Sequence, residues 1–386
     1  MVRDMKQTEI GWIPEDWEVV TLQQISKITR LAGYEYSTYW KEQINGEIIG
    51  LRGFNIGKNR IIHREFSYIS DKLSKKLIRS RLFCNDIIYP CVGTIGNAAV
   101  ITENDRYHIQ QNIAKITPQI LSVYPFYLSH YLMSDFGLRE VEKFNGSSSQ
   151  PNVLVGSLRQ YNIILPPLPE QEAIAGALSD ADAWIESLEQ LMAKKRLIKQ
   201  GAMQTLLTPK DDWEVKKLGD RSIIYTGKKN NQDKSENGKY PFFVRSQTVE
   251  KINSYSFNGE AILIPGEGNL GSIVHYINGK FDFHQRVYKI SDFVGLNGKY
   301  LYFYFRMYFG NHAMQNTVKA TVDSIRLPTL EEFIIKFPSL SEQERIATIL
   351  SDMDAEIETL EQKLIKAKQI KQGLMQELLT GRIRLV

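Results

Sequence analysis

The sequence holds only two cysteines, Cys84 and Cys91. Two thiols supply neither a disulfide framework nor a four-ligand zinc set. The six histidines stand apart from them at no metal-binding spacing. No apolar run approaches the ~20 residues that cross a bilayer. The opening Met1-Val2-Arg3-Asp4-Met5-Lys6 lacks the apolar centre of a signal peptide. Reduced thiols, a cytoplasmic location and no membrane contact are therefore expected. Charge of one sign is scarce as well: 48 Lys and Arg against 44 Asp and Glu leave +4.

Catalytic signatures are missing too. Gly266-Glu-Gly268-Asn-Leu-Gly271 fits a dinucleotide fingerprint, but that site needs a helix next, and strand-like Ser272-Ile-Val-His-Tyr276 follows. Gly53-Phe-Asn-Ile-Gly57-Lys58-Asn59 is one residue short of a phosphate loop and lacks its Ser or Thr. Glu214-Val215-Lys216 is half a nuclease motif, with Asp211 and Asp212 too close to act as the distant metal ligand. No Asn/Asp-Pro-Pro-aromatic tetrapeptide of an adenine methyltransferase occurs, and no nucleophile–base set can be argued. The expectation is a chain without catalysis, cofactor or metal of its own.

What is present is a duplication. Shifted by 172 positions, Leu168–Thr208 aligns without a gap on Leu340–Thr380, with 26 of 41 residues identical. The intervening parts repeat more loosely. Asp16-Trp17-Glu18-Val19 matches Asp212-Trp213-Glu214-Val215, and Gly93-Thr-Ile-Gly96 echoes Gly268-Asn-Leu-Gly271. Charge follows the repeat: residues 1–165 carry +3, 166–210 carry −1, 211–337 carry +3 and 338–386 carry −1. Four segments with these boundaries are expected, in the order domain, helix, domain, helix. The helices have stayed alike while the domains have diverged. The helices therefore do one job twice, and the domains do two versions of another.

The helical segments carry heptad seams. Ile174, Leu178, Ala181, Ile185, Leu188 and Met192 recur at alternating spacings of four and three. So do Ile346, Leu350, Met353, Ile357, Leu360, Leu364 and Ala367. So narrow a stripe suits a helix facing another helix, although each could simply pack on its own domain. Pro169 and Ser341 read as start signals. Acids fill the N-terminal halves and bases the C-terminal halves, so two such helices laid antiparallel would pair opposite charges. Some 39 residues make a rod of about 58 Å.

Residues 20–165 and 215–337 read as mixed α/β domains of many short strands between Gly, Asn and Asp turns. The aromatic runs Tyr124–Tyr131 and Tyr300–Phe305 predict helices packed on those sheets. Basic and amide residues gather in loops: Arg52, Lys58, Asn59, Arg60, His63 and Arg64; Lys72, Lys75, Lys76, Arg79 and Arg81; Lys228, Lys229, Asn230, Asn231 and Gln232; Arg245, Ser246 and Gln247. Arg and Lys reach phosphates and guanine edges, and Asn and Gln pair with adenine, which makes these residues DNA-contact candidates. A solvated surface is the alternative reading for each.

The chain resembles the specificity subunits of type I restriction–modification systems. The likeness is carried by Pro166-Pro-Leu-Pro-Glu-Gln-Glu-Ala-Ile-Ala175 and Pro338-Ser-Leu-Ser-Glu-Gln-Glu-Arg-Ile-Ala347, by the helix ends Ile198–Thr208 and Ile370–Gly381, and by the openings at Gly11–Glu18 and Asp212–Val215. Arg245-Ser-Gln247, His284-Gln-Arg-Val287 and Gln111-Asn-Ile-Ala114 also fit. The resemblance implies an α+β chain: two target-recognition domains separated by two long antiparallel helices in a coiled coil, related by a pseudo-two-fold repeat. It implies double-stranded DNA as ligand, with each domain reading half of a split, asymmetric site. It implies two modification (methyltransferase) subunits docked on the helices, together with restriction subunits. S-adenosylmethionine, ATP and Mg would sit on those partners. A type IIB-like enzyme or a protein-only coiled-coil scaffold are the alternatives. Base contacts do not transfer from the resemblance, so the candidates rest on composition.

Overall fold

Two short strand pairs bracket two copies of one arrangement. Glu18–Thr21 pairs antiparallel with Asn162–Leu165, Glu18 opposite Leu165. Glu214–Lys217 pairs in the same way with Ile334–Phe337, Glu214 opposite Phe337. A computed structural model describes residues 4–145, 152–268, 271–316 and 324–385. The chain divides into two units, one of residues 1–187 with 364–386 and one of residues 188–363. Each unit holds one domain and a stretch of both long helices, a different partition from the four segments read in the sequence.

In the second unit a six-stranded sheet runs Ile223–Thr226, Val287–Ser291, Phe257–Pro265, His275–Phe283, Tyr240–Phe243, Glu250–Ile252. Its pair 240–243 with 275–283 is parallel and the others are antiparallel. The first unit keeps this order but in two sheets. One runs Ser26–Arg30, Ile113–Pro118, Ile87–Pro90, Ala99–Val100, and the other Ser67–Ile69, Ile48–Leu51, Tyr107–Ile109. The difference has a local cause. The long strand 275–283 is matched here by two short strands with Thr102-Glu-Asn-Asp105 between them, and Asp105 takes a positive φ of 60°. Turn residues there end a ladder that Tyr276-Ile-Asn-Gly-Lys-Phe-Asp282 continues.

The aromatic runs are helices, Pro125–Leu132 and Gly298–Gln315, each buried on its domain. Both are fastened alike: Tyr127 Oη donates to the Ile164 carbonyl at 2.7 Å, and Tyr300 Oη donates to the Lys336 carbonyl at 3.0 Å. These helices anchor the main cores, which also take in Trp17 in the first unit and Trp213 in the second.

The long helices are Leu168–Leu207 and Leu340–Leu378. The start signal at the second is Ser339 rather than Ser341, for Ser339 Oγ accepts the Glu342 N–H at 3.4 Å and Ser341 is already helical. Within each unit the two helix stretches run antiparallel. In the first, Asp182 pairs with Lys371. In the second, Lys195 meets Glu356 and Arg196 meets Glu361, both at 2.6 Å, and Lys199 pairs with Asp354.

The heptad seam is shared between two partners rather than given wholly to the other helix. Ile174 and Leu178 join the first domain's core, and Ile346 and Leu350, with half-buried Met353 against them, join the second's. Further along, Leu188, Met192, Ile357 and Leu360 are buried, while Ile185 and Leu364 are half-buried. A stripe of apolar residues looks the same whether it faces a sheet or a helix, so periodicity could not separate the two uses.

Candidate nucleic-acid interface

The second domain brings two of the basic and amide groups together. Gly227 starts the process. A Cβ there would stand 2.0 Å from the Phe283 carbonyl oxygen, so only glycine lets the next loop cross this close. Lys229 then bridges to His284, and the Gln285 N–H donates to the Lys229 carbonyl at 2.8 Å. The His284 N–H donates to the Phe243 carbonyl at 2.9 Å, which places 284–286 beside the loop that starts at Val244. The result is an open concavity of about 460 Å³ lined by Asn230, Asn231, Gln232, Arg245, His284, Gln285 and Arg286. A second, of about 510 Å³, shares Asn231 and Arg245 and adds Lys234, Val244, Ser246, Glu250, Glu267 and Gly268. Lys228 and Gln247 are exposed in the loops around these hollows. The surface is rich in amide and guanidinium donors, the kind of lining that base edges and phosphates meet.

Glu267 organises the charge. Arg245 Nη1 reaches it at 3.1 Å, and Arg286 Nη1 holds its other carboxylate oxygen. His284 accepts the Arg286 backbone N–H on Nδ1 at 3.0 Å. Burial, then the two nearby guanidiniums, push the pKa of His284 down. With Nδ1 accepting the Arg286 N–H, the proton of the neutral ring lies on Nε2. One strand ends at Pro265 and the next described element is the strand His275–Phe283, so among the described residues no helix begins after Gly266 and Gly268.

In the first domain the structure separates the candidates. Ile48 lies opposite Ile69 and Gly50 opposite Ser67. Arg52 to Arg64 therefore leave the 48–51 strand at one end. The helix Asp71–Lys76, with Lys75 and Lys76, sits at the other, where the Asp71 N–H donates to Glu47 Oε2 at 2.9 Å. Only the Arg52 end corresponds to the second domain's concavity, since both lie where a parallel strand pair finishes. Arg52 pairs there with Glu42 at 2.7 Å. Lys58, His63 and Arg64 are exposed, with Arg64 bonded to Glu65 at 2.9 Å. At the far end, Lys75 pairs with Asp71 at 2.6 Å, Lys76 lies 3.5 Å over the Tyr39 ring, and Arg79 is exposed.

Three of the basic and amide candidates have internal work instead. Asn59, at φ 50°, accepts from Ser129 Oγ, and its Nδ2 lies 3.2 Å from the His130 ring nitrogens. His130 in turn meets Ser179 Oγ at 3.2 Å, with Asp182 3.9 Å away. Arg60 reaches Glu186 of the first long helix at 3.4 Å. The tip of this loop is thus a seat on the helix. Arg81, grouped with the basic residues by composition, is buried between Asp71 at 2.8 Å and Asp105 at 2.6 Å and braces the fold.

Sequence reasoning also missed what the doubled Glu-Gln-Glu does. Gln171 and Gln343 are both fully buried. Gln171 Oε1 accepts the Tyr124 N–H at 2.9 Å, and its Nε2 donates to the Ser122 and Pro166 carbonyls at 2.9 and 2.8 Å. Gln343 does the same with the Asn297 N–H at 2.9 Å and the Gly295 and Pro338 carbonyls at 3.2 and 2.9 Å. Each glutamine pins the start of a long helix to the start of an aromatic helix. Its strict repetition was the available signal. Among the described residues no group of three or more His, Cys, Asp or Glu side chains could hold a metal, and no helix is long and apolar enough to cross a membrane.

A family model described as the type I restriction modification DNA specificity domain matches residues 14–195 and again 210–369. A protein of Methanocaldococcus jannaschii, named provisionally as the specificity subunit of the MjaX type I restriction enzyme, is 25% identical over 434 aligned positions, which cover 99% of this chain and 97% of that one. The EcoDI specificity subunit of Escherichia coli is 33% identical over 171 residues, 44% of this chain and 37% of its own. The crystal structure of a type I S subunit from M. genitalium shares the fold with a TM-score of 0.65 at 15% identity, covering 98% of this chain and 99% of that one.

Proposed function

This chain belongs to the type I restriction–modification DNA specificity family, and from that premise we propose that each of its domains reads one half of a split, asymmetric DNA target while the two long helices fix the spacing between the halves. The family's role is to supply sequence specificity and not catalysis. The observation that carries the reading is a contrast within the chain. The helices repeat at 26 of 41 positions, whereas the recognition loops keep their frame and change their chemistry. A symmetric target would need two like readers, and unlike readers suit an asymmetric one.

The helices serve as spacer and dock. A continuous helix of 40 residues is about 60 Å long. Half-site centres on one face of B-DNA lie about 34–36 Å apart, within that reach. The exposed faces of the paired helices receive two methyltransferase subunits, which carry S-adenosylmethionine, and restriction subunits that carry ATP and Mg complete the complex in the cytoplasm. Phosphate contacts made by those partners add the salt-dependent affinity that a net charge of +4 does not supply.

Sequencing the host methylome with and without this gene tests the reading. Adenine methylation in a two-part motif should vanish on deletion. A methylome unchanged by the deletion, in a strain with active methylation, refutes it.

A further inference from the structure

Arg245, Glu267 and Arg286 come from three separate loops and meet where the second domain's two hollows adjoin. We propose that the two arginines, held in place by Glu267, read the major-groove edge of a guanine in the half-site bound by this domain. The proposal rests on the reading above that the domain takes a DNA half-site, and it names the base and the side chains.

Charge comes first. Two guanidiniums share one carboxylate, so the cluster keeps a formal surplus of one positive charge. Each guanidinium gives Nη1 to Glu267. An arginine fork has five N–H donors, more than one carboxylate oxygen takes, so donors remain for a ligand. Presentation comes second. The glutamate side chain is 20% exposed, while those of Arg245 and Arg286 are 44% and 57% exposed. The carboxylate thus lies beneath and the forks above. A side chain held from below enters a groove with less rotamer entropy left to lose, and guanine O6 and N7 are the acceptor pair that such a fork fits.

The internal repeat supplies the third argument. The frame around the cluster recurs in the first domain. The Val153 N–H donates to the Cys91 carbonyl at 2.9 Å, as the Ile325 N–H does to the Gly266 carbonyl at 2.8 Å. Gly93 and Gly96 have positive φ, as do Gly268 and Gly271. Within this shared frame Val92 stands where Glu267 stands, and Asn112 where Arg286 stands. The same scaffold therefore presents different chemistry in each half, as a determinant of half-site identity must.

The test uses the complete methyltransferase containing this chain. Methylation rates are measured on duplexes in which each guanine of this half-site is replaced in turn by 7-deazaguanine, which lacks the N7 acceptor. One guanine should respond, and Arg286→Lys or Arg245→Lys should lower its preference over the other bases by about 5- to 150-fold while the other half-site is read as before. Two results overturn the proposal: no guanine responding to the analogue with the unaltered protein, or lysine variants that slow methylation equally on every sequence, as a phosphate contact would. If the function itself were misassigned, the complex would show no half-site belonging to this domain at all.

Discussion

Lys371 of the second long helix forms an ion pair with Asp182 of the first, and Lys199 of the first forms one with Asp354 of the second. The 172-residue shift that defines the repeat turns Asp182 into Asp354 and Lys199 into Lys371. The same bond is thus made twice with the roles of the helices exchanged. This is the pairing of acidic and basic halves that an antiparallel arrangement demands.

The two pairs differ in environment. The Lys371 and Asp182 side chains are 11% and 26% exposed, whereas Asp354 is 42% exposed. Removing one partner from the more enclosed pair leaves a charge in a poor dielectric. Lys371→Ala should therefore destabilise by about 3 kcal/mol, and Lys199→Ala by less. A double-mutant cycle with Asp182→Asn in urea unfolding measures the coupling. A cycle with no coupling at Asp182–Lys371 contradicts the assignment.

The buried glutamines predict a larger effect from a smaller change. Gln171→Glu or Gln343→Glu replaces an amide donor to two carbonyls with a carboxyl oxygen in a fully buried place. Each should cost more than about 3 kcal/mol and lower the thermal midpoint of unfolding, more than the near-neutral Glu172→Gln beside it.

Two buried histidines should make stability fall in acid. Burial lowers the pKa of His130 to about 3, helped by Lys371, and lowers that of His108 to about 4. Asp182 is the acid nearest His130, 3.9 Å away. Above pH ~6.5 both rings are neutral whether the chain is folded or not. Below it the unfolded chain takes up protons that the folded one refuses. Stability should fall as the pH drops through 6.5 towards 4 and 3, by about 1.4 kcal/mol per pH unit per histidine. His130→Phe borrows the residue that the second domain carries at this place, Phe303, and should flatten the profile. Chemical denaturation between pH 4 and 7 reads this directly.

Asn59 and Arg60 should behave as parts of the helix seat. Asn59→Ala loses its bonds to Ser129 and His130 and strains a positive-φ position, so it should cost about 2 kcal/mol. Arg60→Ala breaks an exposed ion pair and should change stability by less than about 1 kcal/mol. Neither should alter the methylated motif. A changed motif in either variant returns that residue to the DNA face.

The legible parts of this molecule were the local ones. The helices announced themselves because periodicity and a gapless repeat both lie along the chain. The aromatic helices were visible for the same reason. Sheet order was not, since it depends on strands such as Ile48–Leu51 and Tyr107–Ile109 meeting across more than fifty residues. Composition gathered Arg52, Asn59 and Arg81 into basic groups. It could not see that Asn59 faces His130, that Arg81 is sandwiched by two aspartates, or that Lys75 and Arg52 occupy opposite ends of a sheet. Arg286 was not among the contact candidates because its meaning comes from Glu267, a neighbour in space alone.

If recognition is modular, with one domain for each half of the target, the halves can be exchanged separately. Exchanging residues 22–161, the span between the paired strands Glu18–Thr21 and Asn162–Leu165, for the matching span of a relative with a different target tests it most directly. Methylome sequencing should then show one half of the motif replaced, with the other half and the spacing unchanged. A motif altered in both halves, or in its spacing, rules modular recognition out.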